Sequence, residues 1–174
     1  MKNYLLFALI MTGSVAVSSY SAKNMNDLNK IQADPDKEFV MAAAEGGMLE
    51  VKLGELAVKK GTSQKIKDYG NTMITDHAKA NEELTALAKQ KKIMLPKKIS
   101  SAKQQKYDSL ASEKGETFDM LYMNMMIASH EETVGVFEKE TVAGKDAELK
   151  KWADAKVPAL KHHLEMAKML FDKN

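Results

Sequence analysis

The chain has 174 residues, 44% hydrophobic and 29% charged, which suits one globular domain rather than a disordered protein. Its formal net charge is +2 and all 26 basic residues are Lys; without Arg for bidentate phosphate and base contacts, nucleic-acid binding is disfavoured. Cysteine is absent, which removes disulfides, thiolate metal sites, Cys nucleophiles and a lipoprotein anchor together.

The first residues, MKNYLLFALIMTGSVAVSSYSA, read as an export signal. Lys2 supplies the positive start, and the apolar run from Leu5 to Val17 is too short to span a bilayer comfortably. Ser19-Tyr20-Ser21 places small residues where a signal peptidase needs them, so cleavage is expected near Ser21 or Ala22. A signal peptide over 1–21 sends the mature protein to the periplasm or cell envelope; the alternative is an uncleaved N-terminal anchor. A polar segment, 22–33, precedes the folded domain, 34–172. No later apolar run is long enough for a membrane helix, and no alternating strands suggest an outer-membrane barrel.

Asp34-Pro35 is a helix start, with Asp as N-cap and Pro in the first turn. The first helix is predicted from Pro35 to Lys60, stopped by Gly61, with Thr62 or Ser63 capping the next. A second helix follows from Gln64 to Lys91. Pro96 breaks the chain in KKIMLPKKIS, and a short helix fits Ala102 to Glu113. A third long helix fits Thr117 to Val142, ended by Gly144, and the last fits Asp146 to Phe171. Pro158 inside that helix should kink it or remove a backbone bond. The turns at Gly61 and Gly144 make two antiparallel hairpins. Their connection, roughly 92–116, can cross the length of a bundle of about 40 Å, as in a ferritin-like fold. A simple up-down-up-down bundle is the alternative. The fold class is therefore all-α: a ferritin-like four-helix bundle with a short accessory helix.

The apolar stripes carry the functional signal. In the first helix the stripe reads Phe39, Ala43, Gly46, Glu50, Leu53, Ala57, with Glu38, Glu45, Lys52 and Lys59 on the solvated side. The second reads Ile66, Tyr69, Met73, His77, Ala80, Leu84, Leu87. His130 lies with Met123, Met126, Val134 and Phe137, and His163 with Ala153, Leu160, Ala167 and Leu170. His162 points elsewhere, to the surface. Each long helix thus places one ionisable group on its apolar face: Glu50, His77, His130 and His163. All lie near the middles of their helices, at levels within about 8 Å in each hairpin. Gly46 and Gly47 leave room at the His77 level.

Buried charge is costly unless paired or metal-bound, and inward-facing side chains from several helices build metal sites in bundles. Three His and one Glu suit Zn, and also Cu, Fe or Mn; Asp76 either orients an imidazole by accepting its hydrogen bond or is a weak fifth ligand candidate. The competing account is a metal-free network in which His77 bonds Glu50 or Asp76 and specifies packing. No Glu-x-x-His pair occurs, which argues against di-iron chemistry. Most of the 13 Met residues, among them Met73, Met123, Met125, Met126, Met166 and Met169, sit at helical spacing and fill the core, although Met123 and Met126 also suit Cu(I). No Ser-His-Asp order, phosphate loop or paired general-acid carboxylates can be assembled, so an enzyme has the least support. Neither a protein partner nor homo-oligomerisation is specified.

Three stretches resemble a bacterial family: EFVMAAAEGGMLEVKLGELAVKKGTSQKIKDYGNTMITDHAKANEEL, FDMLYMNMMIASHEETVGVFEKE and WADAKVPALKHHLEMAKML. Asp76-His77, His130 and Pro158 to His163 occur together and in order, and the chain from Asp36 to Leu170 is similar to domain-of-unknown-function family 4142. The resemblance implies an exported, ferritin-like bundle of the cell envelope. It carries the family label "putative outer membrane protein" and brings no established reaction.

Overall fold

The computed structural model describes residues 34–172; the expected signal peptide and polar segment lie outside the described residues. Among the described residues are five helices: α1 (Pro35–Lys60), α2 (Gln64–Gln90), α3 (Ser101–Ser112), α4 (Gly115–Ala143) and α5 (Ala147–Phe171). Ser63 caps α2 through Ile66 N–H, and the Asp146 carboxylate caps α5 through Glu148 and Leu149 N–H. Asp34 stands at the N-cap position of α1, but its side chain makes no cap bond. Gly115, with φ +60, opens α4, a backbone setting that suits glycine. Helix α5 runs on through Pro158. The carbonyl that Pro158 leaves unbonded belongs to Asp154, and both residues are exposed, so water can take it.

Side-chain bonds between helix ends fix the topology. Thr62, just past α1, donates its N–H to Asp119 near the start of α4 at 3.1 Å. Asp36, at the start of α1, accepts from Lys145 N (2.7 Å) and Asp146 N (2.9 Å) in the turn between α4 and α5. Lys91, at the end of α2, pairs with Asp146 at 2.7 Å. With α1 taken as up, α2 and α4 therefore run down and α5 up. Helix α1 neighbours α2 and α4, and α5 neighbours the same two, so every adjacent pair is antiparallel. The chain from Lys91 to Lys114 must then cross the whole bundle. This is the one-crossover connection of the two that the sequence permitted. Helix α3 lies on α1 and α4. Lys60 Nζ ties its end down through the carbonyls of Ala111 and Glu113, and Leu110 is buried beneath it.

Hydrophobic periodicity explains the core. The residues expected inside are buried on every helix, with Ala80, Leu87, Leu170 and Gly46 half-buried at the edges. Met73, Met123 and Met126 are buried, Met125 and Met166 partly so, but Met169 is half-exposed near the end of α5. Two apolar clusters result. One gathers Leu53, Ile66, Tyr69, Met73, Phe118, Tyr122 and Met126 near the α1–α2 turn. The other gathers Phe39, Leu84, Val134, Phe137 and Leu149 towards the opposite end. Gly54 and Gly70 let α1 and α2 approach closely: a Cβ on Gly54 would lie 2.7 Å from the Gly70 carbonyl oxygen. In sequence each histidine falls between residues of the two clusters: His77 between Met73 and Leu84, His130 between Met126 and Val134, His163 between Leu160 and Ala167.

Candidate metal centre

The helical repeat that buries the apolar stripes also buries the three histidines that interrupt them. His77 is 7% exposed, His130 1% and His163 3%. They come from α2, α4 and α5 and face one another, with ring centroids 5.7 Å apart for His77–His130 and 5.5 Å for the other two pairs. One nitrogen from each ring lies within 4.8 Å of the other two, and among the described residues these three form the group of His, Cys, Asp and Glu near enough to share one ion. Ion–nitrogen bonds of about 2.1 Å need the nitrogens roughly 3.4 Å apart, so small ring rotations close the site.

Hydrogen bonds select which nitrogen two of the rings offer. His130 Nδ1 donates to the Met126 carbonyl at 2.9 Å, one turn back on α4, leaving Nε2. His163 Nε2 meets Asp76 Oδ2 at 2.8 Å, leaving Nδ1. The nitrogens left over, with His77 Nε2, are all buried and have no hydrogen-bond partner. Glu50 repeats the pattern: Ser129 Oγ donates to its Oε1, and its Oε2 is buried without a partner. Each such atom costs about 1–3 kcal/mol, and four of them fall in one layer of the bundle. An ion would give the three nitrogen lone pairs a partner.

The electrostatics suit a cation that brings its own charge. Burial, and then the neighbouring His130 and His163, push the His77 imidazole down to about 3, so it is a free base at neutral pH. Burial also lowers His163, against the opposing bond from Asp76. Burial raises the Glu50 carboxyl, against the opposing influence of His130, the Ser129 bond and Lys103. Glu50 lies outside the three-nitrogen group but shares a cavity of about 100 Å³ with His77 and His163. Asp76 is half-exposed and serves His163 rather than His77. His162 is exposed, as its position off the stripe implies.

Sequence reasoning did not find Ser129. It precedes His130 by one residue, which turns it toward α1 and Glu50; only the α1–α4 pairing reveals that use. Lys103 of α3 also reaches the cavity, which could not be seen before the crossover path was known.

The family model described as "Domain of unknown function (DUF4142)" matches residues 21–170. The chain belongs to the DUF4142 family. No curated protein matches this DUF4142 chain. Its fold is similar to a solved structure described as "CopM in the Cu(II)-bound form", with a TM-score of 0.68 at 17% identity, over 79% of this chain and 96% of that one. At that identity the likeness is one of fold. No helix among the described residues of this DUF4142 protein is long and apolar enough to cross a membrane.

Proposed function

We propose that this protein is an exported helical bundle that binds one transition-metal ion through His77, His130 and His163, with the Glu50 carboxylate beside them and Asp76 orienting His163. The observation that carries this is that three buried rings from three helices bring one nitrogen each within 4.8 Å of one another, and that each ring has a buried nitrogen without a partner. Imidazole donors of this kind suit Zn and Cu, with Fe and Mn less favoured by three nitrogens. The Cu(II)-bound state of the fold neighbour supports including copper. The N-terminal pattern supports periplasmic or envelope placement and a binding role there.

Elemental analysis by inductively coupled plasma mass spectrometry tests the site. The sample is mature, untagged protein from the periplasm, beside His77→Ala and Glu45→Ala. Near-stoichiometric metal in wild type and Glu45→Ala, lost in His77→Ala, is expected. Equal occupancy in all three overturns the site. The metal-free network is the second reading, favoured by the His163–Asp76 bond. It requires His77 to find a partner too, and His77 Nε2 has none.

A further inference from the structure

Three protein nitrogens leave a first-row ion short of a tetrahedral set, so the identity of the fourth donor decides whether the site is closed or open. Glu50 is the obvious protein donor, but it stands outside the mutual 4.8 Å group and its Oε1 is engaged by Ser129. The space beside the histidines is instead a cavity of about 100 Å³, lined by His77, His163, Glu50 and Gly46. Gly46 keeps it open: a Cβ there would meet no atom within 4 Å. His130 does not line this cavity.

Resting on the metal reading above, we propose that the fourth position faces this cavity and takes an exchangeable small monoanion, in competition with water, rather than Glu50. Charge supports an anion. A divalent ion beside a single buried carboxylate leaves positive charge at the cavity, and Lys103 on the cavity wall adds to it, whereas Lys156 on the same wall is paired with Glu83. Asp76 and Glu132 also line the cavity, but both are exposed and screened by water. The size of the space restricts the ligand to a few atoms.

The test is Co(II) loading of the mature protein followed by azide titration, read in the visible d–d bands. Wild type is expected to take up Co(II) and to show a saturable spectral change with azide. Gly46→Leu, which fills the cavity, is expected to take up Co(II) equally while losing the response; Gly46→Val serves if Leu prevents folding. Co(II) uptake with no azide effect in wild type overturns the open position while leaving the metal site intact. An undiminished effect in the Gly46 variant places the anion elsewhere and overturns it too. Failure of wild type to take up Co(II) overturns the metal reading and this inference together.

Discussion

Asp76 and His163 join α2 to α5 through a bond of 2.8 Å between Oδ2 and Nε2. The carboxylate is half-exposed while the imidazole is buried, so the pair holds a buried ring from the rim of the site. Partners of this kind fix the ring orientation and raise the basicity of the coordinating nitrogen. Asp76→Ala is expected to weaken metal binding about 10–100-fold. A half-exposed pair contributes little to folding, so the melting temperature of the metal-free protein should hardly move. Competition with a chromogenic chelator measures the first, and a thermal scan in chelator the second.

An ion that binds only the folded bundle must stabilise it. At a free-ion concentration a hundredfold above Kd, the gain is about 2.7 kcal/mol. The melting temperature should rise with added metal, fall back with chelator, and fail to respond in His130→Ala. A chelator-insensitive melting temperature in protein shown to carry metal would count against ligands drawn from three helices.

Glu140 gives the fold a pH dependence away from the histidines. It is buried, and its Oε1 has no partner. Burial, then Asp36, with Asp146 and Asp34 adding and Lys150 opposing, pushes its carboxyl up to about 7 from an ordinary 4.5. Between those values the folded protein holds a proton that the unfolded chain has released. Stability from this group is therefore lost as pH rises from the ordinary value through about 7. Glu140→Gln should stabilise the protein on the order of 1–3 kcal/mol at about pH 8, and less at about pH 5. Urea unfolding at both pH values checks it; a larger gain at the lower pH would contradict the sign.

The glycines of α1 should behave oppositely under one substitution. Gly54→Ala drives a methyl into the Gly70 carbonyl and the Ile74 side chain, and is expected to cost about 1–3 kcal/mol. Gly46→Ala meets open space and should gain about 0.5–1 kcal/mol from helix propensity. Denaturant midpoints compare the two directly.

Much of this was legible in the residues because helical periodicity fixes which side chains go inside. The stripe through Met73, His77 and Leu84 needs no knowledge of the neighbouring helices, and neither do the stops at Gly61 and Gly144. What depends on helix pairing was not legible. Asp36 looks like a first-turn acid, yet its carboxylate clasps the turn at Lys145 and Asp146, more than a hundred residues on. Asp76 could be read as an orienting group, but its choice of His163 over His77 follows from how α2 meets α5. Met169 is half-exposed because it lies two residues past the buried Ala167, about 200° round α5 and off the stripe that Ala167 shares with His163.

The long crossover gives the histidine layer a mechanical meaning. His77 belongs to the first hairpin, His130 and His163 to the second, and the chain between His77 and His130 contains the whole connection with α3. An ion shared by these rings would close a loop of about fifty residues, restricting the freedom of the two hairpins to part. Metal content would then set how often the halves separate. Protease cutting within the crossover, or slow amide exchange along it, would follow the supply of the ion, so the bundle would report metal through its own resistance to opening.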